Sequence, residues 1–167
     1  MKIMIASDIH GSAFWCEKLM KAYSTEKPDR LLLLGDILYH GPRNDLPDGY
    51  DPKKVIALLN SVSDKILCVR GNCDAEVDDM VLDFQVSAEF AAVFDGDTAI
   101  YACHGHKQFP KVAKGSVIVS GHTHVPVDYE ESGVRYINPG SVSIPKENSS
   151  HGYLVYENGN FVSKKLD

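Results

Sequence analysis

Three short apolar runs, Ile3–Ala6, Arg30–Leu34 and Lys65–Val69, alternate with segments that carry helical start and stop signals. That alternation sets the fold class. A strand apolar on both sides must be covered on both faces, and a β-α-β succession does so by laying helices against a parallel sheet. The first helix is expected over about Ala13–Tyr23, with Ser12 as its cap and Lys27-Pro28 as its stop. The second is expected over Pro52–Leu59, capped by Asp51 and opened by proline at its first position. Between them His40–Tyr50 holds Gly41, Pro42, Pro47 and Gly49 and reads as a long loop.

The second half changes character. Thr98–Cys103 and Ser116–Ser120 are short apolar strands with a short connector. Val127–Glu131 and Val134–Ile137 flank Ser132-Gly133, and Tyr153–Tyr156 and Phe161–Lys165 flank Asn158-Gly159, a strong hairpin signal. The expectation is one α/β domain over residues 1–167, a sandwich of two sheets with helices outside. Hydrophobic content of 44% and charged content of 24% fit a soluble globular protein. The net charge of −6 weighs against broad electrostatic binding to nucleic acid or an anionic membrane. No run approaches membrane-spanning length. The four cysteines form no C-x-x-C pattern, and the N-terminal apolar run is too short for a signal peptide; both point to reduced thiols and a cytoplasmic location.

Each strand end carries a polar cluster: Asp8-Ile9-His10, Gly35-Asp36, Gly71-Asn72-Cys73-Asp74, His104-Gly105-His106 and Gly121-His122-Thr123-His124. Ligands in open α/β sheets bind beyond the carboxyl ends of the strands, so these clusters are expected to converge. Asp8 and His10, like His122 and His124, would point the same way if extended. Carboxylate, amide and imidazole donors together suit Mn²⁺ or Fe²⁺ better than Mg²⁺ alone, with Zn²⁺ and Ni²⁺ also admissible. Asp36, with two carboxylate oxygens, is the candidate bridge between two ions. Each cluster alone is weak, since Gly-Asp often merely ends a strand. Five coincidences at one sheet edge are a poor alternative.

The order Asp8-x-His10, Gly35-Asp36, Gly71-Asn72-x-Asp74, His104, Gly121-His122-x-His124 resembles the calcineurin-like metallophosphoesterase superfamily. The segments His40–Asn44 and Asn138–Pro145 are similar to those of its small bacterial YfcE-type phosphodiesterases. The resemblance implies a four-layer αββα sandwich with two mixed β-sheets. It implies one metal on Asp8, His10, Asp36 and His124, and a second on Asp36, Asn72, His104 and His122. It further implies that a hydroxide bridging the two ions attacks a small phosphodiester substrate, and it is compatible with a homodimer or higher homo-oligomer. Asp36, Asn72, Cys73, Asp74 and His104 form the expected catalytic group. Cys73 stands where relatives carry a His regarded as proton donor to the leaving group; a thiol is a poorer acid than an imidazolium at neutral pH. Asp74 is then expected to brace the Asn72 loop. A non-catalytic scaffold on the same fold, and a phosphomonoesterase or nuclease, are the competing readings.

Beyond this set, His40, Arg43 and His106 are candidates for substrate contact, Arg43 because its planar fork suits phosphate oxygens. Asn138–Ser143 is expected beneath the metal loops. Phe14, Trp15 and Leu19 read as core or interface, and Cys16, Cys68 and Cys103 as small buried hydrophobes. His151 reads as solvated, and Asp74–Asp83 as a solvated helix face.

Overall fold

The computed structural model describes residues 1–167. In chain order the elements are β1 (Lys2–Ala6), α1 (Ala13–Glu26), β2 (Arg30–Leu33), α2 (Pro52–Asn60), β3 (Ile66–Cys68), β4 (Phe90–Asp95), β5 (Thr98–Cys103), β6 (Val117–Val119), β7 (Val127–Glu131), β8 (Val134–Asn138), β9 (Gly152–Glu157) and β10 (Asn160–Lys165). They build two mixed five-stranded sheets, β10-β9-β1-β2-β3 and β4-β5-β6-β8-β7. Strands β1, β2 and β3 run parallel, as do β5, β6 and β8.

Side-chain alternation explains the stacking. Ile3 and Ile5 of β1 and Leu32 of β2 face the second sheet, meeting Ile100, Ala102, Val117 and Val119 in one buried cluster. Met4, Ala6, Leu31 and Leu33 point the other way, onto Cys16 and Leu19 of α1 and Val55 and Leu59 of α2. Strands apolar on both faces are therefore sandwiched between helices and a second sheet, as their composition requires. The caps act as expected: Trp15 N donates to Ser12 Oγ at 3.2 Å, and Lys54 N to Asp51 Oδ1 at 3.1 Å. Helix α1 runs to Glu26, three residues past the expected end, and closes on Lys27 in the left-handed region (φ 48°).

Four features differ from the sequence reading. Strand β4 carries Phe90 and Phe94 on its exposed face, 45% and 66% accessible, while Ala91 and Val93 pack inward. The large residues face outward and the small ones inward, so its pattern hides a strand. The outer face of the second sheet, with Cys103, Ile118 and Val134, is covered by Val112 of a non-helical segment, not by a helix. The acidic stretch Asp74–Asp83 contains a single 3₁₀ turn, with Asp74, Asp78 and Leu82 buried. Asp78 accepts from Ala75 N at 2.9 Å, so these carboxylates satisfy backbone donors that a regular helix would satisfy itself. Finally, His151 stacks on Trp15 at 3.4 Å between ring centroids, and its Nδ1 lies 2.9 Å from Val142 O. Phe14, by contrast, is 44% exposed.

Candidate metal centre

The loops that follow β1, β2, β3, β5 and β6 meet at one edge of the sandwich, and they carry the five polar clusters. Asp8 Oδ1 lies 3.6 Å from His10 Nε2 and 3.3 Å from His124 Nε2. Asp36 Oδ2 lies 3.7 Å from His10 Nε2 and 3.4 Å from His104 Nε2. Asn72 Oδ1 is 3.0 Å from His104 Nε2, and the His122 ring is 5.1 Å from the His104 ring. Asp8, His10, Asp36, His104 and His124 are buried.

The backbone that achieves this is not extended. Asp8 (φ 58°), His10 (φ 49°), Asp36 (φ 55°), His122 (φ 68°) and His124 (φ 61°) all occupy the left-handed region. The expected strand-like alternation of the D-x-H and H-x-H pairs is thus replaced by tight turns. A strand would carry successive donors away along its axis, whereas left-handed turns fold the chain back on one point. Two glycines permit the crowding. A Cβ on Gly71 would strike the Asp36 side chain, and one on Gly121 would strike Ser7 Oγ.

A second set of contacts orients the donors. His10 Nδ1 donates to Tyr39 O (2.8 Å), His104 Nδ1 to Leu34 O (2.6 Å) and His124 Nδ1 to Ile144 O (2.6 Å). Each bond fixes the ring and leaves Nε2 facing the cluster. Ser141 Oγ and Ser143 Oγ both donate to Asp8 O, at 2.8 and 3.1 Å, and Asn138 Nδ2 donates to Gly121 O at 2.7 Å. The 138–143 segment therefore lies beneath the site. Asp74 accepts from Asp36 N (2.8 Å), Ile37 N (2.8 Å) and Gly71 N (2.7 Å). Both its oxygens are occupied, so it holds the Asp36 and Asn72 loops and does not reach a reacting group. The orienting carbonyls of Leu34, Tyr39 and Ile144 have no signature in sequence, because any residue supplies a carbonyl.

The donor set fits divalent cations. With Nδ1 bound to carbonyls, the Nε2 atoms of His10 and His124 face each other 3.2 Å apart. Asp8 Oδ1 is buried and has no hydrogen-bond partner. Two carboxylates, an amide oxygen and inward imidazole nitrogens form a cluster of acceptors that only cations or protons can reconcile. The triads Asp8–His10–His124 and Asp8–Asp36–His104 each offer atoms within 4.8 Å of one another.

Protons serve in the metal-free protein. Burial lowers the His104 pKa, but Asp36 and Asp8 outweigh it and raise the group to about 9. Burial opposes ionisation of Asp8, yet the imidazoles of His10 and His124 facing it hold its carboxyl far below the ordinary range. Because His104 is raised above its ordinary value of 6.5, it is protonated at pH 7 and must lose that proton to become a ligand. Metal binding at pH 7 is therefore expected to release protons, and affinity to rise with pH until about 9. Calorimetric titration in buffers of different ionisation enthalpy reads the proton count; identical apparent enthalpies would contradict it.

The other sequence candidates are placed as follows. Cys73 N donates to Asp36 Oδ1 at 2.8 Å, and its thiol lines the cleft beside Asn72. Burial and the Asp36 carboxylate push that thiol up to about 12. His106 is exposed at the rim, its ring 5.4 Å from His104. Arg43 lines the same cleft as Asp36, Asn72, His122 and His124. His40 does not; its ring packs edge-on against Tyr39 and Tyr50. Lys146 also lines the cleft, and the sequence reading did not single it out.

Residues 1–160 match the model of the calcineurin-like phosphoesterase superfamily domain. The chain belongs to that superfamily, a group of phosphoester hydrolases that use divalent metal ions. It is similar to phosphodiesterase YfcE of Escherichia coli K12, with 43% identity over 162 residues, 95% of this chain and 88% of that protein. The solved structure of the E. coli Yfce phosphoesterase matches with a TM-score of 0.96 at 41% identity, covering 100% of this chain and 94% of that one. Vps29 of Entamoeba histolytica complexed with Zn²⁺ shares the fold at 17% identity, with a TM-score of 0.65 and coverage of 98% and 97%. No helix is long and apolar enough to cross a membrane.

Proposed function

We propose that this protein is a dinuclear metal-dependent phosphodiesterase acting on small phosphodiesters in the cytoplasm, with Mn²⁺ as its preferred ion. The observation that carries this reading is the closed set of inward acceptors, with Asp8 Oδ1 left bare and Asp36 facing both His10 and His104. Asp8, His10, Asp36 and His124 would hold one ion, and Asp36, Asn72, His104 and His122 the other. Ions held there would lower the pKa of a water and stabilise charge on the phosphoryl oxygens. His10, His104 and His124, tethered through Nδ1, keep their Nε2 atoms in place without reorganisation. Asp36 faces both halves through Oδ2, and its Oδ1 is steadied by Cys73 N. The scaffold reading has less support, because all seven donors are present and each makes a contact within the cluster.

Proton delivery to the leaving group is the weak part of this site. A thiol held near 12 does not donate efficiently at neutral pH, so substrates with good leaving groups are favoured. The test is metal-reconstituted protein assayed on bis(p-nitrophenyl) phosphate, p-nitrophenyl phosphate and nucleic acid, with a series of leaving groups. The diester should be preferred. Cys73→His should raise turnover by about 10-fold or more for the poorest leaving groups and little for p-nitrophenol. Equal changes across the series would remove Cys73 from the leaving-group side, and preference for the monoester or the polymer would replace the phosphodiesterase reading.

A further inference from the structure

The cleft above the metal donors encloses about 490 Å³, far more than a phosphoryl group occupies, and Pro42 and Cys73 are its only apolar wall residues. No Phe, Tyr or Trp lines it for a base or aryl ring to stack on. What it offers beyond the metal donors is charge. Arg43 stands on the loop after β2, and Lys146 on the turn after Pro145. The ion pairs of the chain engage Lys2, Lys54, Lys65, Lys107, Arg135 and Lys164, and neither of these two cations. Lys107, near the rim, is already neutralised by Glu89, and Arg70 spends its Nε on Asp74 O.

Both cations are mounted on backbone that is tied to metal-donor histidines. Lys146 N donates to His124 O at 3.2 Å, and Lys146 O accepts from Ser149 N and Ser149 Oγ at 3.0 and 2.6 Å. On the other side, His10 Nδ1 donates to Tyr39 O, and Asn44 Nδ2 donates to His40 O at 2.7 Å, closing the turn that carries Arg43. Two cations outside any ion pair, carried on anchored backbone at the wall of a polar cleft, form a place for an anion. Asp36 is the one carboxylate on the cleft wall, and it faces His10 and His104.

We infer that Arg43 and Lys146 form an anion subsite that selects phosphodiesters in which one arm bears a second phosphate. The inference rests on the phosphodiesterase reading and adds the substrate class. The scissile phosphoryl sits at the metal donors, the arm crosses the cleft, and its terminal phosphate meets the guanidinium and ammonium groups.

Two p-nitrophenyl phosphodiesters with the same leaving group test it, one with an ethyl arm and one with a 2-phosphoethyl arm. The wild-type protein should show a kcat/KM about 10-fold or more higher for the phosphoethyl ester, and Arg43→Gln/Lys146→Gln should bring that ratio to about one. A wild-type ratio near one, or a ratio that survives in the double variant, overturns the subsite. Hydrolysis of neither ester would instead overturn the phosphodiesterase reading. The subsite is then decided by titrating the metal-free protein with inorganic phosphate and following the Arg43 and Lys146 side-chain signals by NMR. Shifts at both residues support it, and no shift at either overturns it.

Discussion

Replacing Asp36 by Asn is expected to lower metal-dependent kcat/KM by about 10³-fold or more and to reduce the bound metal per chain. The substitution keeps the size and shape of the side chain, so the effect isolates charge. Asp36 Oδ2 is the one carboxylate oxygen that faces both His10, at 3.7 Å, and His104, at 3.4 Å. An amide there carries no charge, presents at most one good acceptor, and its nitrogen cannot bind a cation. Metal analysis of the purified variant and its activity on bis(p-nitrophenyl) phosphate should fall together. Full activity would remove Asp36 from the bridging position. The Cys73 amide loses a charged acceptor in the same variant, so a small loss of stability, within about 1–2 kcal/mol, should accompany the catalytic defect.

Asp74→Ala should be the most destabilising change near the site without touching a metal donor. Its carboxylate accepts three backbone N–H groups from two different loops, those of Asp36, Ile37 and Gly71, and the side chain is buried. Alanine would leave three donors without partners in a region closed to water. Each buried orphan donor costs about 1–3 kcal/mol, so a loss of roughly 3–9 kcal/mol is expected. Denaturant unfolding of the metal-free variant measures this directly. A loss below about 1 kcal/mol would mean that water reaches those amides and that the two loops hold themselves. Asp74→Asn, which retains one carbonyl oxygen, should fall between the two.

The layout of the first sheet was legible because its strands are apolar on both faces and its helices carry ordinary caps. Ser12, Asp51 and Pro52 act through local chemistry that needs no tertiary context. Strand β4 was not legible, because an exposed edge allows Phe90 and Phe94 to face solvent and inverts the usual pattern. The donors stood out as a set, since Asp, Asn and His rarely recur at successive strand ends. Their backbone did not: nothing in Asp8-Ile9-His10 distinguishes an extended pair from two left-handed turns. That distinction is imposed by the neighbouring loops, through hydrogen bonds such as Asp8 N to Gly35 O and His10 N to Asp36 O. Lys146 was hidden for a similar reason. Its place in the cleft follows from one backbone bond to His124, and a lysine in a polar turn ordinarily reports only solvent exposure.

Five of the seven candidate metal donors adopt a backbone conformation that glycine or asparagine would adopt at lower cost. At about 1 kcal/mol each, the sum is comparable with the whole net stability of an ordinary domain. A chain shaped for robustness alone would drift toward small residues at these five places, gaining foldedness while losing its ligands. Substitutions that strengthen this fold and those that silence its chemistry are, at these positions, the same substitutions. Laboratory evolution toward thermostability would have to hold them fixed, or it would deliver a sturdier protein with an empty edge.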